Sequence, residues 1–305
     1  MKIGYVISAY KDPAQLVRLV TRLATGDAAF YIHIDKKTEP AIVHQMRAGL
    51  SHLGSVHFLE PHVCHYLGFG HVEASLKGIR CMLAGGAAPD YAVLLTGQDY
   101  PIKPVEHIDG FFRQAHGRSY MNHVAMSDPI VGQVWRDALE RFNHWHIQGR
   151  RRAYYLPPDQ VHLRPLLSLT NGPVGYALKH LLPPRKPLAG FPAYGGSGYW
   201  NLSRTCVEYV DDFVRTHPAF IRYFRFTRIP DEHFFQTLLC NSPLAETLVD
   251  DSLRYIDWTG CTGSSPRTLG SGDLERILAS PALFARKFDS SVDTAVLDGI
   301  DGAVP

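Results

Sequence analysis

Two acids, Asp231 and Glu232, directly follow Pro230 at the start of a helix that the sequence predicts over 230–239. A carboxylate in that position meets unpaired N–H groups and the positive end of the helix dipole. It is thereby kept ionised and rigid, as a general base that takes a proton from a hydroxyl must be. The same pattern also suits any helix start, so the residue types alone leave both readings open. Asp35 and Asp99 stand just past short apolar runs, in Asp35-Lys36-Lys37 and Gly97-Gln98-Asp99. Acids there suit the hydroxyls of a ribose or a sugar, with basic residues elsewhere to hold phosphate.

Other chemistries lack their apparatus. The first turn reads Ser8-Ala9-Tyr10-Lys11-Asp12-Pro13, without the glycines a dinucleotide loop needs, and neither a Walker A loop nor a G-x-S-x-G elbow occurs. The 16 histidines include no H-E-x-x-H, and the nearest grouping (His57, His62, His65, His71) flanks a strand and a loop, so no metal is expected. Five widely spaced cysteines form no C-x-x-C pair and suggest neither a disulfide framework nor a zinc knuckle.

The elements that must position these groups are legible as an alternation. Lys2–Tyr10, Phe30–Ile34, Ser55–Leu59 and Tyr91–Leu95 read as strands. Helices are predicted from Pro13 to Gly26, where Leu16, Leu19, Val20 and Leu23 recur at helical spacing, near Pro40–Gly49, and through Val72, Leu76, Ile79 and Leu83. Alternation of this kind implies an α/β fold with a mostly parallel sheet flanked by helices. Ligands then sit beyond the carboxyl ends of the strands, which gathers Tyr10-Lys11-Asp12, Asp35-Lys36-Lys37 and Gly97-Gln98-Asp99 around one crevice. From about Tyr120 the rhythm breaks, and the eight prolines between Pro157 and Pro192 mark an irregular insertion beside the site. A Gly-rich turn and strand (Tyr194–Leu202), a helix near Ser203–Thr216 and a C-terminal segment from Tyr255 follow.

With 305 residues, 45% hydrophobic and 20% charged, the chain is globular, and no stretch approaches the roughly 18 apolar residues of a membrane span. Charge appears early in MKIGYVISAYKD, so a cytoplasmic location is expected, in solution or peripheral at the inner membrane surface. The net charge of +2 hides a segregation: from Arg141 to Gly190, eight basic residues face Asp159 alone, a net of +7. That segment reads as a solvated loop face or as a surface for an anionic or membrane-associated acceptor; nucleic acid is not expected.

The stretches FYIHIDKKTE, LLTGQDYPIK, GGSGYWNLSR, PDEHFFQT and LFARKFD, in this order, resemble the core-2/I-branching glycosyltransferase family, which includes β-1,6-N-acetylglucosaminyltransferases and peptide O-xylosyltransferases. The resemblance runs from about Lys2 to Asp293 and is weakest between Tyr120 and Pro192. It implies a GT-A-like single domain: a nucleotide-binding half (1–120), an acceptor-side insertion (121–192) and a catalytic, diphosphate-binding half (193–305). It further implies inverting transfer from a UDP-sugar co-substrate, without cofactor or metal, to a glycan or glycoconjugate hydroxyl. No two aspartates are spaced i, i+2, in keeping with the missing metal motif. By the same resemblance Glu232 is the base, Ala9, Tyr10, Asp35 and Ile256 belong to the donor site, and Arg267 and Lys287 neutralise the diphosphate, with Arg286 a competitor for Arg267. Asp99 orients the donor sugar or caps its own loop. Ser197 and Trp258 contact bound sugar, although Trp258 could equally be a core residue. N-acetylglucosamine is slightly favoured as donor sugar over xylose, and a noncatalytic sugar- or nucleotide-binding protein is the alternative of another class. The anchor and disulfides of mammalian members are missing, which implies a bacterial-type member. Tyr66-Leu67-Gly68-Phe69-Gly70-His71 departs from the family's Trp-Gly pair.

Overall fold

A computed structural model describes residues 1–86, 88–128, 141–142, 144–148, 153–156, 185–261 and 265–304. The first half alternates as expected: β1 (Ile3–Ala9), α1 (Pro13–Leu23), β2 (Ala28–Ile34), α2 (Pro40–Leu50), β3 (Val56–Phe58), α3 (Gly70–Ala84), β4 (Tyr91–Thr96), β5 (Asp99–Pro101) and α4 (Val105–Gln114). β1, β2 and β4 are almost wholly apolar because helices cover both of their faces. The Asp12 carboxylate caps α1 by accepting from Gln15 N at 3.0 Å, Pro13 opens the first turn, and Leu16, Leu19, Val20 and Leu23 are completely buried.

The second half holds short strands and helices: β6 (Ser119–Met121), β7 (Val124–Ala125), β8 (Trp145–Gln148), β9 (Ala153–Leu156), β10 (Tyr194–Gly195), β11 (Trp200–Ser203), α5 (Arg204–Thr216), α6 (Pro218–Phe224), α7 (Phe234–Cys240), β12 (Leu248–Val249), β13 (Arg254–Ile256), α8 (Leu274–Ala279), β14 (Phe284–Arg286) and α9 (Ala295–Ala303). Most of the expected insertion, including Arg150, Arg151, Arg152, Asp159, Arg164 and Lys179, lies outside the described residues.

The main sheet runs β12-β6-β11-β4-β1-β2-β3. β4, β1, β2 and β3 are mutually parallel, and β11 is reversed between β4 and β6. The fold is therefore α/β with a mostly parallel central sheet flanked by helices. α1, α2 and α4 close one apolar core and α3, α5 and α7 the other. α3 approaches so closely that a Cβ on Gly78 would lie 2.6 Å from Val6 Cγ1. A second sheet, β13-β14-β5, brings the C-terminal segment under the carboxyl end of β4.

The Gly-rich turn and strand expected over Tyr194–Leu202 are found as β10, the Gly196–Tyr199 turn and β11. One element differs from expectation. The helix predicted over 230–239 is a single 3₁₀ turn, Pro230–Glu232, followed by α7. Ile229 is left-handed (φ 51°), His233 turns the chain at φ −136°, and Glu232 O accepts from Gly196 N at 2.9 Å rather than continuing a helix. Among the described residues no helix is long and apolar enough to cross a membrane.

Candidate active site

Strand order reverses at β1, with β2 and β3 on one side and β4 on the other, the place where open α/β sheets bind ligands. A cleft of about 980 Å³ opens there, near the upper end of the roughly 300–1,000 Å³ of small-molecule sites. Its lining includes Ser8–Lys11 after β1, Leu94–Gln98 at the end of β4, the Gly196–Tyr199 turn, and Asp231 and Glu232. Of the residues singled out from the sequence, Ala9, Tyr10, Ser197, Glu232, Ile256 and Trp258 line it. Tyr10 and Trp258 are 55% and 53% exposed, so Trp258 is not a core residue. Asp35, Asp99, Arg267 and Lys287 are not among the lining residues.

One wall is cationic. β14 pairs antiparallel with β5 so that Arg286 stands opposite Asp99. Asp99 is completely buried; its carboxylate accepts from Thr96 N and lies 3.4 Å from Arg286 Nη1. It caps its own loop, one of the two roles expected for it, and anchors Arg286 as well. The Arg286 guanidinium lies 4.5 Å from the Tyr199 ring centre and lines the cleft. Arg254, which the sequence reading missed, lines it too: Nη1 donates to Asn201 Oδ1 (3.0 Å) and Ser252 O (2.7 Å), and Nη2 to Leu94 O (2.7 Å). Burial pulls its pKa down to about 10, which leaves it charged at neutral pH. Its only sequence signal is a charge in the otherwise apolar run Leu253-Arg254-Tyr255-Ile256.

Arg286 lines the cleft and Arg267 does not. The Arg267 guanidinium is held between Asp257 (2.5 Å) and Asp273 (2.6 Å), and it keeps both carboxyls well below the usual carboxylate range. It braces the loop that presents Trp258, Ser265 and Pro266 to the cleft. Lys287 Nζ donates to Ser265 Oγ at 2.5 Å, at the edge of the same loop. Asp35 shapes the turn after β2, accepting from Lys37 N at 2.9 Å and lying 3.5 Å from Lys37 Nζ.

Acidic residues line the cleft as well: Asp231, Glu232 and Asp250. Asp250 Oδ1 accepts from His123 N (3.0 Å) and Asn122 Nδ2 (3.3 Å). Gly196 must be glycine, because a Cβ there would fall 1.8 Å from Asn122 O. Glu232 Oε2 lies 2.6 Å from Arg141 Nη1. Arg141 and Arg185 both belong to the basic segment, and neither decorates a solvated face: they are 8% and 6% exposed. Arg185 donates to the carbonyls of His144, Tyr223 and Phe226 and to Thr227 Oγ1, a structural clamp.

His33, His62 and Cys64 converge behind the cleft, with Cys64 Sγ 4.0 Å from His33 Nδ1 and 3.7 Å from His62 Nε2. Their hydrogen bonds oppose metal binding through those atoms. His33 Nε2 accepts from His62 N (3.2 Å), and His62 Nδ1 faces the donor-only ammonium of Lys77 (3.2 Å). The protons therefore sit on His33 Nδ1 and on His62 Nε2, which donates to Gly70 O at 2.8 Å, whereas a metal-bound histidine carries its proton on the remote nitrogen.

A sequence profile of the Core-2/I-Branching enzyme family matches residues 3–278. The chain belongs to that family, a family of glycosyltransferases. Over 323 residues it is 25% identical to xylosyltransferase 2 of Rattus norvegicus, covering 99% of this chain and 33% of the relative. It is 26% identical to xylosyltransferase 2 of Homo sapiens over 324 residues (99% and 33%) and to xylosyltransferase 1 of Rattus norvegicus over 332 (99% and 35%). The chain thus spans about a third of the length of these relatives. A solved 4-diphosphocytidyl-2C-methyl-D-erythritol synthase from Anaerococcus prevotii overlaps 72% of this chain and 75% of its own at a TM-score of 0.30 and 7% identity, a likeness that carries no argument.

Proposed function

We propose that this chain transfers a sugar from a UDP-sugar to an acceptor hydroxyl with inversion, using Glu232 as general base and no metal. The observation that carries the reading is the mixed charge lining the cleft at the strand switch point, with Arg254 and Arg286 as well as Asp231 and Glu232. In a single displacement the acceptor oxygen bonds to the anomeric carbon while the bond to the diphosphate breaks and its electron pair leaves with UDP. The hydroxyl proton passes to the Glu232 carboxylate, and Arg286, with Lys287 at the rim, offsets the charge growing on the leaving group. Tyr10 offers an exposed ring to the uracil, and Trp258 a face to a sugar. The relatives are named for xylose, which ranks UDP-xylose ahead of UDP-N-acetylglucosamine as the first donor to try.

The test is UDP release from UDP-xylose, UDP-N-acetylglucosamine, UDP-glucose and UDP-galactose, with EDTA present throughout. One donor should be hydrolysed or transferred under EDTA, and Glu232→Gln should slow it by at least about 100-fold, the scale of a lost base, while UDP still binds. Turnover that stops in EDTA and returns with Mn²⁺ would overturn the metal-free mechanism. Glu232→Gln with undiminished turnover would remove Glu232 from its role.

A further inference from the structure

A helix N-terminus would have kept Glu232 ionised, but its turn is three residues of 3₁₀ helix and cannot supply that dipole. Asp231 is its chain neighbour, with Oδ2 beside Gly198, and Asp250 also lines the cleft. The opposing charge comes from the long connection between β7 and β10. Arg141 Nη1 reaches Glu232 Oε2 at 2.6 Å and lies 3.4 Å from Nε2 of His233, whose Nδ1 is 3.3 Å from Tyr194 O. Among the described residues, His71, His123, Tyr66 and Lys11 also line the cleft.

We propose that Arg141 is a positioning residue for Glu232. Its guanidinium fixes the carboxylate by a charge-assisted hydrogen bond and holds it ionised. Arg141 stays protonated throughout and takes no part in the proton transfer. One member of the basic segment thereby serves the base rather than an anionic acceptor. The proposal rests on Glu232 being the base.

The test is the pH dependence of UDP release by the full chain, with UDP-xylose as first probe, in Arg141→Gln and Arg141→Lys. Loss of the cation in Arg141→Gln should move the acid limb up by about one pH unit or more and lower the plateau rate by about tenfold through loss of orientation. Arg141→Lys should leave the limb near its wild-type position, and both variants should bind UDP within about twofold of wild type. An acid limb unmoved in Arg141→Gln, or moved equally in both variants, would overturn the proposal. Should Arg141→Gln not fold, thermal melts of wild type and Glu232→Gln at pH values falling from neutral to well below the unfolded Glu value of about 4.3 decide instead. A carboxylate stabilised by Arg141 loses its contribution as pH falls below the unfolded value of about 4.3, so Glu232→Gln should flatten part of the acid-side decline. Superimposable declines would sink the pairing. Failure of the base itself shows separately, as full turnover by Glu232→Gln.

Discussion

The cationic and the acidic linings of the cleft differ in construction. Arg254 and Arg286 belong to β13 and β14, which pair in register through Arg254–Phe284 and Ile256–Arg286, and β14 pairs in turn with β5. Ladder hydrogen bonds place such residues whatever their side chains do. Asp231, Glu232 and Asp250 stand in turns, where position depends on individual partners: Gly196 N, Arg141, Asn122 and His123. The cationic lining should therefore tolerate loss of one contact without losing its shape, whereas the acidic lining should fail as a unit.

The strongest way to break that contrast is Arg286→Ala. If Arg286 meets the diphosphate, charge-assisted bonds of about 1.5–3 kcal/mol are lost, so UDP should bind about 10- to 100-fold more weakly by calorimetry, with uridine almost unaffected. Equal losses for UDP and uridine would mean that Arg286 shapes the cleft without touching phosphate. Lys287→Ala should do less, about fivefold on UDP and little on uridine, because Lys287 sits at the rim with its ammonium on Ser265 Oγ. An effect exceeding that of Arg286→Ala would transfer the main phosphate contact from the sheet to the rim.

Much of the fold was legible because β1, β2 and β4 are uninterrupted apolar runs and α1 carries a full helical stripe. Glu232 could be assigned through the PDEHFFQT motif that contains it, and Tyr10 and Trp258 through the wider family resemblance; the structure puts all three on one cleft. The cations were less legible, since what an arginine does depends on which carboxylates reach it. Asp273 lies six residues from Arg267, yet no sequence spacing states that Asp257 closes on its other side. Arg254 depends on strand pairing with β14, and Arg141 meets its partner across 91 residues. Glu232 was placed at a helix start because Pro-Asp-Glu has that composition. The left-handed Ile229 and the bond from Gly196 are tertiary effects that composition does not carry.

The smallest expected effect on the ligand belongs to Arg267→Ala, and it separates bracing from binding. Asp257 and Asp273 are both held below their ordinary values, chiefly by hydrogen bonds from Arg267. Groups depressed in the folded state contribute stability above their unfolded pKa, about 3.9, and lose it as pH falls through the folded values. Arg267→Ala should therefore lower the melting temperature by about 1–3 °C at pH 7, and the gap to wild type should narrow below about pH 4 as the two carboxylates take up protons. UDP affinity should stay within about twofold of wild type, because the guanidinium faces Asp257 and Asp273 rather than the cleft. A loss of UDP binding as large as that in Arg286→Ala, with melting unchanged, would show that Arg267 leaves its carboxylates for the diphosphate, and that the cationic wall is completed by a loop instead of by sheet alone.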